Sequence, residues 1–107
     1  MITEIISYDE IQHPCIHSSE KCSVYIEDST VGWLLHCYVQ KWSKSTYNEL
    51  LSVLLDVLDV SPRGEVFAVS DSDKLTKFAE LFGFISYDDL HDSKGNKIGE
   101  VLKCSTR

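Results

Sequence analysis

Between Thr46 and Val60 the chain places Tyr47, Leu50, Leu51, Leu54, Val57 and Leu58 at helical spacing, while Asn48, Glu49, Ser52, Asp56 and Asp59 take the other side. Ser43 or Ser45 supplies an N-cap, and Ser61-Pro62-Arg63-Gly64 stops the helix. Before it runs VGWLLHCYVQ and after it EVFAVS, both of β character. The near-continuous apolarity of Val66, Phe67, Ala68 and Val69 marks an interior, parallel strand, so the helix is a crossover between two strands of one sheet. This excludes a pure helical bundle and a pure β-sandwich.

The remaining elements arrange themselves around that unit. CSVYIED alternates, meets the turn cluster Asp28-Ser29-Thr30 and pairs as a hairpin with the run from Val31. In that run Val31, Trp33, Leu35, Cys37 and Val39 share one face and Leu34, His36 and Tyr38 the other, which predicts a central strand covered on both sides. After EVFAVS, Asp71 or Ser72 caps a second helix with Leu75, Phe78, Ala79 and Phe82 as its stripe, and Gly83 supplies the left-handed residue that ends it. FISYDDL and KIGEVLKC flank Lys94-Gly95-Asn96 and predict a closing hairpin. Met1–Tyr8 reads as a first strand, or a strand and bend, and the Pro14-containing stretch from Asp9 to Lys21 as a connecting loop.

The predicted class is therefore α+β, a mixed, mostly antiparallel sheet with two main amphipathic helices, in a single domain spanning 1–107. A chain of 107 residues supports one core of ordinary size, and 43% hydrophobic with 25% charged residues fits a folded protein. A net charge of −7 disfavours nucleic acid and suits a basic protein partner or an amine-bearing substrate. The apolar runs are too short or too interrupted to predict a membrane span, and MITEIISYDE carries acids where a secretory signal places basic and apolar residues. The expected compartment is the cytoplasm, with Cys15, Cys22, Cys37 and Cys104 as free thiols filling core positions on strands.

The element order, together with Lys77-Phe78-Ala79-Glu80-Leu81-Phe82-Gly83-Phe84 at the end of the second helix, resembles the GNAT superfamily of N-acetyltransferases, most clearly over residues 22–104. Trp33 and His36 on the central strand and Lys41-Trp42-Ser43-Lys44-Ser45 before the helix also look like small GNAT-like proteins carried by bacteriophages. The resemblance implies that two neighbouring parallel strands splay apart to admit acetyl-CoA. It also implies that the cofactor's pyrophosphate rests on backbone amides where the crossover helix begins, since a helix N-terminus attracts anions. The cofactor-binding positions so implied are Gln40, Lys41, Trp42, Ser43, Lys44, Ser45 and Thr46.

Two departures from the family pattern shape the functional expectation. The family's loop has the form Q/R-x-x-G-x-G/A, whereas Ser43 and Ser45 stand where glycines belong. Ala79 follows Phe78 where many of these enzymes carry the tyrosine that protonates the leaving thiolate. For catalysis, His36 would act as base and Tyr47, or Tyr38, as the substitute acid. The resemblance thus implies either a degenerate, non-catalytic module that binds a host or virion protein, or an acetyl-CoA-dependent N-acetyltransferase acting on an amine.

Other constellations carry less. His13-x-Cys15-x-His17 with Cys22 offers zinc-type ligands but matches no zinc-finger spacing and is broken by Pro14, so no metal is expected. His36 and Cys37 are strand neighbours and point to opposite faces, which prevents a thiolate–imidazole pair. Trp33, Tyr38 and Trp42 are expected together near the start of the helix, with Trp42 as the exposed contact. Asp88, Asp89, His91 and Asp92 read as a solvated hairpin tip.

Overall fold

The computed structural model describes residues 14–106. Its elements are β1 (Cys15–Ser18), β2 (Cys22–Asp28), β3 (Trp33–Val39), α1 (Lys44–Val60), a 3-10 turn (Pro62–Gly64), β4 (Glu65–Ser70), α2 (Asp73–Glu80), β5 (Ile85–His91) and β6 (Lys97–Ser105). All strands join one sheet in the order β1-β2-β3-β4-β6-β5. Only β3 and β4 run parallel; every other neighbouring pair is antiparallel. The architecture is thus α+β, a mostly antiparallel sheet with two helices. The strand considered within Met1–Tyr8 lies outside the described residues.

One strand departs from the sequence reading, since Cys15–Ser18, expected as loop, forms the edge strand β1. Pro14 precedes it, and the proline's carbonyl accepts from the Ile26 amide at 3.1 Å, so the residue that would break a central strand serves here as the lead-in to an edge. A register shift between Cys15 and His17 bulges the strand, which shortens the flat edge open to foreign pairing.

Helix α1 begins at Ser43, whose hydroxyl accepts from the Thr46 amide, and closes at Ser61, whose amide reaches the Val57 carbonyl. Leu50, Leu54, Val57 and Leu58 are buried, each contributing roughly 2 kcal/mol by removal from water. Leu50 packs with Cys22, Val24, Val39 and Phe78 over β2 and β3. Leu54, Val57 and Leu58 pack with Val66, Leu102 and Cys104 over β4 and β6. Ser72 caps α2, and Gly83 at φ 91° makes the left-handed exit. Because Phe78 and Ala79 belong to these same clusters, both helices lie on one face of the sheet.

The two halves of the sheet meet unusually weakly. Seven residue pairs register β2 on β3 and six register β4 on β6, but a single pair, Leu34 opposite Phe67, registers β3 on β4. Past it, Leu35–Val39 and Ala68–Ser70 are not registered on each other, on the side of the sheet where β3 ends and α1 begins. β3 is interior to the sheet, as its pattern predicts, with Trp33 through Tyr38 half-buried and Val39 buried. At the closed end, Gly32 at φ 139° lets the ring of Phe67 approach, and a Cβ there would lie 2.8 Å from Phe67 Cε1.

Candidate functional site at the start of α1

The turn from Gln40 to Thr46 is bound into the fold mainly by its own atoms. The amides of Gln40 and Lys41 both donate to the Lys21 carbonyl, at 2.8 and 3.2 Å. Thr46, with no exposed surface, donates its hydroxyl to the Lys41 carbonyl at 2.5 Å and lies 3.1 Å from the Ser43 hydroxyl. Its amide is held by the Ser43 side chain at 3.2 Å. Lys21 Nζ donates to Ser45 Oγ at 2.6 Å. The hydroxyl of Ser43 thus takes up the Thr46 amide at the helix start, and that of Ser45 accepts from Lys21.

Aromatic rings close the outer side. Trp42, 44% exposed, meets Tyr47 edge-on at 6.4 Å and Phe78 at 5.4 Å, while Tyr47 stacks on Phe82 at 5.0 Å. The Tyr47 hydroxyl donates to the Leu81 carbonyl at 3.3 Å, and Leu81 is itself 56% exposed. Trp42 and Leu81 therefore flank Tyr47 in an apolar ridge. Trp33 and Tyr38, expected beside Trp42, make no ring contact with it: Trp33 begins β3 and packs on the β4–β6 core, a strand's length away.

His36 and Tyr47 are not brought together. Strand alternation puts Leu35 and Cys37 toward the helices and His36 on the opposite face, where its Nε2 lies 2.9 Å from Glu27 Oε1. Tyr47 sits on the helix side. Tyr38 shares the His36 face, and Ala79, at the position of the family's tyrosine, is buried. Between β3, β4 and the helices lies an apolar cavity of about 60 Å³, lined among others by Leu35, Cys37, Ala68, Leu54, Phe78 and Phe82. Burial in this lining pushes the Cys37 thiol up to about 12, which favours the protonated form.

A second group joins His17 and Cys22, weighed from the sequence as zinc-type ligands with His13 and Cys15, to Glu49, which was not. Glu49, expected on the solvent side of α1, turns its Oε2 toward β1 and β2, where it lies 2.5 Å from His17 Nε2 and accepts from Ser19 Oγ at 2.6 Å and Cys22 Sγ at 3.4 Å. The hydrogen bonds from His17 and Ser19 hold its carboxyl down at about 2, against a smaller opposing effect of burial. Burial first, then the carboxylate beside it, raises the Cys22 thiol to about 11. Ligand atoms of His17, Cys22 and Glu49 all lie within 4.8 Å of one another. Of the ligand set weighed from sequence, His13 lies outside the described residues. Cys15, expected in the core, is exposed, its thiol directed at the His17 carbonyl. The only sequence signal was the cluster of His17, Ser19 and Cys22; nothing local announced that Glu49 would meet them.

At the hairpin tip the Asp92 carboxylate accepts from the amides of Asn96 and Lys94, both at 2.9 Å, and these bonds lower its pKa. Among the described residues no helix is long and apolar enough to cross a membrane. No family model, curated protein or solved structure significantly matches the chain.

Proposed function

We propose that this domain is a non-catalytic binding module on a GNAT-like fold, and that it grips a protein partner through the ridge of Trp42, Tyr47 and Leu81. The observation that carries the reading is the self-filled start of α1. Ser43 caps the Thr46 amide, Thr46 ties back to Lys41, and Trp42 packs over Phe78, so the cradle for an acyl-CoA pyrophosphate is taken up by the chain itself. What stays outward is a half-exposed tryptophan with exposed Lys41 and Lys44 beside it. Such a ring anchors protein interfaces at low entropic cost, and the lysines favour carboxylates at the partner's rim. The net charge of −7 weighs against nucleic acid. A host or virion protein as partner, and the cytoplasm as compartment, belong to the same reading.

Calorimetric titration with acetyl-CoA tests it, with no measurable heat expected. A partner captured by the wild type is to be lost with Trp42→Ala and kept with a change on the far hairpin such as Lys94→Ala. Micromolar acetyl-CoA binding, weakened by Ser43→Phe, would refute the reading and support the second one.

That second reading is an acetyl-CoA-dependent N-acetyltransferase acting on an amine. What favours it is the single-pair contact between β3 and β4 with an apolar cavity beside it, a gap of the kind a pantetheine arm enters. Against it stand the separation of His36 from Tyr47 and the buried Ala79.

A further inference from the structure

We infer that His17, Cys22 and Glu49 form a binding site for a divalent metal of the zinc class, clamping the edge strand β1 to the start of α1. The three side chains come from β1, the first residue of β2 and the second turn of α1, and supply an imidazole, a thiol and a carboxylate. That mixed set suits zinc, which takes nitrogen, sulfur and oxygen ligands in tetrahedral array. Zinc with ligands at about 2.0–2.3 Å needs neighbouring ligand atoms about 3.3–3.6 Å apart. Cys22 Sγ and Glu49 Oε2 already stand at 3.4 Å. His17 Nε2 and Glu49 Oε2, at 2.5 Å, need to part by somewhat under an ångström, and His17 is on a bulged edge strand with room to yield.

One carboxylate oxygen of Glu49 collects donors from His17, Ser19 and Cys22, so the groups that would bind the cation already converge on one point. On binding, the Cys22 S–H bond breaks and its proton leaves to solvent, while the imidazole of His17 gives up the Nε2–H that it donates to Glu49 and takes a proton on Nδ1 instead, which frees Nε2 for the metal. The thiolate and Glu49 carboxylate then neutralise the two positive charges, with His17 binding as the neutral imidazole. Ser19 Oγ stays on Glu49 as an outer hydrogen bond that orients the ligand. Lys21 opposes a cation by its charge, but its Nζ is held on Ser45. Three protein ligands leave a fourth position for water or for a group brought by a partner.

The test is titration of the reduced full-length chain with cobalt(II) alone, then displacement by zinc, followed by absorbance. Expected are a thiolate-to-cobalt charge-transfer band, tetrahedral ligand-field bands at a stoichiometry of one, release of a proton, and a thermal midpoint that rises with zinc. Cys22→Ser abolishes the charge-transfer band. Because Cys22 is buried and its replacement can unfold the chain, His17→Gln, on a half-exposed side chain, carries the decisive arm: affinity falls at least ~10-fold with an unchanged circular dichroism spectrum. Absence of the charge-transfer band in the wild type overturns the inference. So does binding that survives His17→Gln, or binding lost with His13→Gln and Cys15→Ser but kept with Cys22→Ser.

Discussion

The two halves of the sheet, β1-β2-β3 and β4-β6-β5, are each knitted by antiparallel ladders yet differ in what fills them. Over β4 and β6 the core is aliphatic and aromatic, with Val66 and Leu102 at no more than 1% exposure. Over β2 and β3 the core is smaller and shares its space with the network of His17, Ser19, Cys22 and Glu49 and with the hydroxyls of Ser43 and Thr46. One residue pair registers β3 on β4, and α1 spans the junction, its early turns serving one core and its later turns the other. The larger apolar cluster thus lies over one half and the His17–Glu49 network over the other, although β4 carries a buried hydroxyl network of its own at Ser70.

Truncation of each core gives the largest test of that division. Leu102→Ala, in the dense half at 1% exposure, is expected to cost about 3–4 kcal/mol by urea unfolding, whereas Leu50→Ala, beside the existing cavity, costs about 2 kcal/mol. A side chain that already borders a void has fewer contacts to lose. Equal losses, or a larger one at Leu50, would break the comparison.

The polar half is probed next at the α1 cap. Thr46→Val keeps shape but removes the donor to the Lys41 carbonyl and the neighbour of the Ser43 hydroxyl, at an expected cost of about 1–3 kcal/mol. Ser43→Ala loses the cap alone, about 1 kcal/mol. The double variant should fall short of the sum, because both act on one network. Strict additivity would mean that the turn is held elsewhere.

The dense half was also the legible half. Its strands and helices follow apolar periodicity, and its boundaries follow caps such as Ser72 and the positive-φ Gly83, both of which act through residues close by in sequence. The hairpin of β2 and β3 was readable for the same reason. By contrast, β1 is four residues long and, among the described residues, pairs with β2 alone, so little in its own sequence marks it as a strand. Glu49 lies on the polar side of an amphipathic helix by spacing alone; only the path of residues 14–22 over that flank turns it inward. Local rules place elements, whereas the meeting of His17, Cys22 and Glu49 is a product of topology.

The smallest expected effect reads the Glu49 network directly. Its carboxyl sits at about 2 in the folded chain against an ordinary value of 4.5, so between those values the unfolded chain binds the proton and the folded chain does not. Stability from this group is therefore complete above about pH 5 and is lost as pH falls toward about 2. Glu49→Gln cannot ionise, so in urea unfolding the gap between wild type and variant should be widest near pH 6 and close progressively below pH 4.5. Asp92, lowered chiefly by backbone bonds at the opposite hairpin, gives the same sign and supplies the control from the dense half. If Asp92→Asn shows the converging pH dependence and Glu49→Gln does not, the carboxylate contacts of the β1-β2-β3 half are absent in solution, and the chemistry assigned to that half fails with them.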